Sequence, residues 1–452
     1  MNMVSRAIRP GALRALGALV GSAIVALATT PASAMKIERV RSPGGIEAWL
    51  VRDSAIPLIA VDFAFVGGSE QDPKGKPGVA NLTASLLDEG AGPHDARAFH
   101  DKLERKAIEL GFRAGRDYLR GTMRMLTEHR DEAFENLRLA LTAPRFDPEA
   151  VERIRSQVIA QLRRNSTNPN DIASRAWWEA AFPDHPYGQP PSGTLESVPN
   201  ITIDDLRAYT RKVIARESLK IAIVGDIDAE TLGRLLDRTF GELPAKAELV
   251  PIANVKPQGL GRRAVIDLDV PQAVVNFGGL GVTRDDPDFM AAYIVNHILG
   301  AGSFSSRLYR EVREKRGLAY GVSTTLAWYR HTAVTLGSTA TRADATRETL
   351  DVIQAEYQRM AAEGPTEEEF NKTKTFLKGS FALNLDTSGK IAAQLVQMQI
   401  DNLGIDYMER RSALIDAVTL ADAKRVAKRL FDPGLLVTVV GRPQGVTSKE
   451  GG

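Results

Sequence analysis

The chain has 452 residues, with 58 Lys and Arg against 56 Asp and Glu, six His and no Cys. Without cysteine there are no disulfides, no thiolate metal sites and no lipid attachment through a thioether. A net charge of +2, with no basic stripe and no long charge block, gives no reason to expect a polyanion partner.

Residues 1–34 have the layout of an export signal. Arg6, Arg9 and Arg14 form a basic start, Ala15 to Ala28 an apolar run, and Ala32-Ser33-Ala34 a small-residue cleavage site. An apolar run this short, rising about 1.5 Å per residue, falls well below a hydrocarbon core of about 30 Å. Cleavage rather than anchoring is therefore expected, with the mature chain in a bacterial periplasm. Cleavage also removes three arginines and leaves a net charge of −1, so the basic balance resides in the discarded segment.

Beyond residue 34 the patterns alternate between strand and helix. Residues 57–66 are rich in β-branched and aromatic side chains and are bounded by Gly67, as expected of a strand. Apolar residues at 3–4 spacing predict helices over 129–142 and 147–166. Thr202 reads as an N-cap, with Asp205 three residues later near the positive helix end, and the helix is followed by the apolar strand Leu219–Gly225. Pro251, Pro257, Gly259 and Gly261 mark 246–261 as a linker. A second strand pattern covers 271–280. The periodicity then predicts a helix from about Ser305 to Lys315, ended by Gly317, and a strand over Leu318–Leu326. Helical spacing returns over 342–362 and 366–386, Thr419 with Asp422 repeats the N-cap, and an apolar strand closes at Gly441.

The chain also repeats itself. Ile56–Phe63 aligns with Val270–Phe277, Thr202–Asp205 with Thr419–Asp422, and Leu219–Gly225 with Leu435–Gly441, at offsets of 214, 217 and 216. Three motifs in one order at nearly one spacing predict two homologous domains, 35–245 and 262–445, with a tail at 446–452. The expected class is α+β, each domain a mostly antiparallel sheet with helices on one face.

Few residues offer chemistry. His94, His100, His129, His185, His297 and His331 form no i,i+3 or i,i+4 pair and read as scattered surface or packing residues. There is no Gly-x-Ser-x-Gly elbow, and the clusters Gly278-Gly-Leu-Gly281 and Gly300-Ala-Gly302 read as turns. What stands out is Gly302-Ser-Phe-Ser-Ser-Arg-Leu-Tyr-Arg-Glu-Val-Arg-Glu-Lys-Arg-Gly-Leu-Ala-Tyr320. It places Arg313 in a last helical turn and Tyr320 near a strand start, where both side chains can converge. Taken alone, the run is also an ordinary charged helix end, with cations favoured by the dipole.

This segment resembles the arginine/tyrosine motif in the C-terminal half of M16-family (pitrilysin-like) zinc peptidases. The resemblance implies that Arg313 holds the substrate backbone and that Tyr320 donates to the oxyanion formed when water attacks the peptide carbonyl. In that family the N-terminal half carries His-x-x-Glu-His on a helix after a Gly-rich bend, and a further Glu downstream. The bend is present as Gly67-Gly68-Ser-Glu-Gln-Asp-Pro73, and Asn168-Pro169 and Phe182-Pro-Asp-His-Pro-Tyr-Gly188 look like family landmarks. With these as anchors, Asn81 and Ser85 occupy the histidine positions, Ala84 the catalytic glutamate and Gln161 the distal ligand. Two amides and a hydroxyl are weak neutral zinc ligands, and alanine is no base. The resemblance thus implies a chain with no cofactor of its own: the zinc-less subunit of a heterodimeric peptidase acting on extended, unfolded peptides. Its partner would be an M16 subunit with the intact motif and the zinc, with a homodimer possible when the chain is alone. The alternative is a structural or peptide-holding homologue with no catalytic role.

Overall fold

The computed structural model describes residues 35–451, so the expected export signal lies outside them. Among the described residues, no helix is long and apolar enough to cross a membrane. β-Branched and aromatic runs form two sheets. The first contains β1 (Ile37–Arg41), β2 (Glu47–Arg52), β3 (Leu58–Val66), β4 (Glu109–Ala114), β5 (Tyr118–Leu126) and β6 (Lys220–Gly225), in the order β1-β2-β6-β3-β5-β4. The second contains β7 (Arg263–Ile266), β8 (Gln272–Leu280), β9 (Ala319–Trp328), β10 (Ala333–Arg342) and β11 (Leu436–Val440), in the order β7-β11-β8-β10-β9. Leaving β1 aside, the two orders correspond strand for strand, as the sequence repeat requires. β2–β6 and β7–β11 are parallel, whereas β3–β5, β4–β5, β8–β10 and β9–β10 are antiparallel.

The helices of the first half are α1 (Val79–Ala84), α2 (Ala96–Arg105), α3 (Arg130–Thr142), α4 (Pro148–Asn165), α5 (Pro169–Ala181), α6 (Ile203–Val213) and α7 (Ala229–Phe240). The second half supplies α8 (Phe289–Asn296), α9 (Arg307–Tyr309), α10 (Thr346–Glu363), α11 (Glu367–Gly379), α12 (Ser388–Ile400), α13 (Tyr407–Ala417) and α14 (Leu420–Phe431). Thr202 and Thr419 each form a complete capping box, with Asp205 and Asp422 returning the bond to the cap N–H. The helix expected over 366–386 ends earlier, at Gly379, and the chain restarts at α12 under the Thr387 cap.

Most helices pack on one face of their own half's sheet, around Val61, Phe63 and Phe65 in the first core and Val275 and Phe277 in the second. The opposite face of each sheet is covered by a helix from the other half. α5 lies on β8 and β11, where the Trp177 indole N–H donates to Leu436 O at 3.1 Å and Thr438 Oγ1 donates to Ala173 O at 3.0 Å. α12 lies on β3 and β6, where Gln399 donates to Ile221 O at 2.8 Å. The approach is close: a Cβ on Gly278 would stand 2.8 Å from the Trp177 ring and 2.4 Å from Thr335 O. Exchanging these helices buries both faces of both central strands and joins the halves.

Candidate functional site

The Arg/Tyr segment is built from helical turns that depart from α geometry. After α8 the chain makes a π turn over His297–Ala301, then a 3-10 turn over Ser303–Ser305. The Ser306 hydroxyl caps α9, which passes directly into a second π turn over Arg310–Glu314. The helix expected from Ser305 to Lys315 therefore begins two residues later, and its last turn is wide. Such single π turns are frequent at functional sites. Gly317, at φ +61°, reverses the chain into β9.

Most charges of this segment are held in internal pairs. Arg307 is buried against Glu369 at 2.6 Å. Buried Glu311 accepts from Lys315 at 2.7 Å and Arg316 at 2.8 Å. Desolvation, the largest single influence on Glu311, is outweighed by these two cations, and its carboxyl sits at about 2. Arg313 makes no ion pair among the described residues. Its Nη1 donates to Tyr320 O at 2.7 Å, and its guanidinium lies 5.1 Å from the centre of the Tyr309 ring.

Tyr320 owes its position to a β-bulge. Thr339 pairs with Val322 and Thr341 with Ala319, so β9 carries one extra residue at Tyr320-Gly321. Val322, Thr324 and Leu326 point into the core, and strict alternation would send Tyr320 there as well. The bulge turns it out, leaving the residue 83% exposed. The carbonyls released by the bulge are recovered, one by Arg313 and the other by Thr339 Oγ1, which donates to Gly321 O at 2.8 Å. Arg313 thus meets Tyr320 at its backbone carbonyl and not at its phenol, which stands exposed on the edge strand.

The positions aligned with the zinc site look different. The bend before α1 is intact: Asp72 accepts from the backbone N–H of Gly78 and of Ala80, each at 2.7 Å, and so anchors the helix start. Asp72→Ala is expected to cost about 1–2 kcal/mol of stability, read as a lowered urea midpoint with unchanged slope. On the helix that follows, Ala84 is 2% exposed. The Ser85 hydroxyl folds back and donates to Asn81 O at 3.0 Å. α4 packs against α1, but Gln161 is occupied within its own helix, donating to Asn165 Oδ1 at 2.6 Å and accepting from Arg164. Among the described residues no group of three His, Asp or Glu side chains is placed to hold a metal. The amide and hydroxyl donors at these positions do not fit the family's zinc.

A polar knot between the halves joins residues far apart in sequence. Glu70, in the bend before α1, has a fully buried side chain; Arg330 Nη1 donates to it at 2.9 Å and His331 Nε2 lies 3.4 Å away. Asp117 accepts from the Arg330 backbone N–H at 2.9 Å and from the Tyr187 hydroxyl, which in turn accepts from the His331 N–H at 3.2 Å. Burial pushes the Glu70 carboxyl up to about 8, the charge of Asp117 adds to this, and Arg330 opposes it. The knot ties the preserved bend to the β9–β10 turn, and thereby to the strand that carries Tyr320. Tyr187 belongs to the Phe182–Gly188 landmark, but no spacing rule pairs it with Asp117 or His331.

Two sequence models of one peptidase family match this chain in succession: "Insulinase (Peptidase family M16)" over residues 52–195 and "Peptidase M16 inactive domain" over 200–377. A Helicobacter pylori protein named "Non-peptidase homolog YmxG" is 28% identical over 334 residues, 74% of this chain and 77% of its own. A Streptomyces coelicolor protein described as an uncharacterized zinc protease is 25% identical over 417 residues, 90% and 89% of the two chains. A Pseudomonas fluorescens crystal structure, titled as a peptidase M16 inactive domain, superposes with a TM-score of 0.84 at 28% identity, covering 92% of this chain and 99% of that one. With matching models over both halves and the repeated sheet topology, the chain belongs to the M16 peptidase family.

Proposed function

We propose that this chain is the zinc-less, Arg/Tyr-bearing subunit of a heterodimeric periplasmic M16 peptidase. Its partner is a family member with an intact His-x-x-Glu-His helix and the zinc ion. The observation that carries this reading is the bulge at Tyr320, which exposes a phenol that strand alternation would bury, beside Arg313. An unfolded peptide adds as an extended strand to an open sheet edge, held by main-chain hydrogen bonds. Tyr320 then donates to the developing oxyanion and Arg313 steadies a neighbouring carbonyl. The metal and the water-activating base come from the partner.

The test is co-expression with a zinc-bearing M16 chain encoded in the same genome, followed by cleavage of an unstructured fluorogenic peptide. A stable mixed complex is expected, about 10²-fold or more faster than the zinc-bearing chain alone, while this chain alone shows no chelator-sensitive hydrolysis. Equal rates with and without this chain would sink the proposal. A second reading, a peptide-holding homologue with no catalytic part, draws on two observations. Arg313 is engaged with its own backbone, and the Helicobacter pylori relative is named a non-peptidase. That reading predicts complex formation without acceleration.

A further inference from the structure

A cleft of about 720 Å³ opens between the halves, lined by the start of β5, the β9–β10 turn, the end of α12 and the segment between β8 and α8. Its volume falls within the range of small-molecule sites. Arg284 enters it from the β8–α8 segment. Its side chain is 12% exposed, and the guanidinium is clamped 4.1 Å from the centre of the Phe289 ring and 5.2 Å from that of Tyr407. Packing thus fixes the fork but leaves its donors unused. Among the described residues the guanidinium makes no hydrogen bond, and its one ionic neighbour, Asp401 at 4.0 Å, stands beyond hydrogen-bond reach. None of its nitrogens is sealed from solvent.

Two further groups in the cleft are free. The Tyr118 hydroxyl has no hydrogen-bond partner among the described residues and is likewise open. Burial, with the charges of Asp117 and Asp401, holds its pKa well above the ordinary phenol value, so it remains a donor. Asp401 is oriented from one side only: its Oδ1 accepts from the Trp328 indole N–H at 3.1 Å and from Gln397 at 3.0 Å, and Arg120 fixes Gln397 at 2.7 Å. Its Oδ2, turned toward Arg284, accepts no hydrogen bond among the described residues and is open to solvent. Arg429, on another wall, is spent on Asp286 at 2.7 Å and Asp288 at 2.8 Å. The unused set is therefore a guanidinium and a phenol that donate, beside one carboxylate oxygen that accepts.

A simple anion fits that set badly, because it answers the donors and meets Asp401 only as repulsion. A peptide ending in a free carboxyl group carries the acid and, on the adjoining Cα, a backbone N–H. We propose that this cleft captures the carboxyl terminus of a peptide: Arg284 and Tyr118 hold the terminal carboxylate, and the N–H of the last residue donates to Asp401. The planar fork matches a carboxylate, and a charge-assisted bond is stronger than a neutral one. A terminal amide brings no charge and turns an N–H toward the donors, so it forfeits this part of the interaction. The inference rests on the reading of this chain as a peptide-binding subunit and narrows its substrates to peptides presenting an open carboxyl end.

The full mature chain is titrated by calorimetry with one unstructured decapeptide, free of acidic side chains, as the free acid, the C-terminal amide and the N-acetylated acid. Both acids are expected to bind one per chain, at least about tenfold tighter than the amide. Arg284→Gln is expected to bring the acid down to the level of the amide. Tyr118→Phe should weaken the acid at least about threefold and leave the amide unchanged. Thermal melting checks that the variants fold, and where Arg284→Gln does not, Tyr118→Phe decides. Equal affinity for acid and amide, no saturable binding of either, or an unchanged preference in the folded variants each overturns the proposal. Acceleration of the zinc-bearing chain is measured separately in the mixed complex: if it persists while acid and amide bind alike, this site is wrong and the proposed function stands.

Discussion

In the mixed complex with a zinc-bearing chain, Tyr320→Phe is expected to lower kcat by about 10²–10³-fold, the usual loss for one oxyanion donor. Three features of the site make this a clean test. The residue is 83% exposed and its hydroxyl makes no hydrogen bond among the described residues, so removing one oxygen should change stability by less than about 0.5 kcal/mol. The ring itself stays, so any contact of its face with substrate stays too. A donor aimed at charge that exists only in the transition state lowers kcat and kcat/KM together and leaves KM nearly unchanged. A rise in KM with kcat intact would instead mark Tyr320 as a peptide contact, which fits the holding role. A kcat within about threefold of wild type, where removal of a donor costs at least 10²-fold, would refute its part in catalysis.

The fold was legible wherever local pattern and tertiary role coincide. Thr202 and Thr419 announce capping boxes because the hydroxyl and the carboxylate three residues on satisfy each other locally. The strands at 58–66 and 272–280 stand within a residue of expectation, since β-branched runs closed by glycine have few other uses. The sequence is silent on what the helices cover. The apolar stripe of α5 states that a face is buried, yet nothing in it says that the partner is the other half's sheet. At the site, Arg313 and Tyr320 were legible by position only. The bulge that turns Tyr320 outward arises from the pairing of β9 with β10, a property of two strands that neither displays alone. Asp117, Tyr187 and Arg330 are separated by 70 and 213 residues along the chain, and a local reading treats each as an ordinary polar residue.

That knot carries the second large effect. Asp117→Ala is expected to destabilise the chain by about 3–5 kcal/mol, because it strands a buried phenol and a buried backbone N–H at once. Within the same cluster, Glu70 contributes a pH slope of unusual sign to stability. The Glu70 carboxyl titrates near 8 in the folded chain against 4.5 when unperturbed, so the folded state holds more protons across that interval. The contribution of Glu70 to stability therefore falls as pH rises from about 4.5 to 8, opposite to that of a salt-bridged carboxylate whose pKa is depressed and to that of His331, whose pKa burial lowers. Glu70→Gln keeps an acceptor for Arg330 while removing the charge. Relative to wild type it is expected to gain about 1–3 kcal/mol at pH 8 and almost nothing at pH 5. Urea unfolding of both chains at the two pH values decides the matter. An equal effect of Glu70→Gln at pH 5 and pH 8 would mean that Arg330 and His331 keep Glu70 ionised throughout. Asp117 would then face a true buried anion, and the cost of Asp117→Ala would shrink, since the substitution would also relieve a repulsion that the protonated carboxyl does not feel.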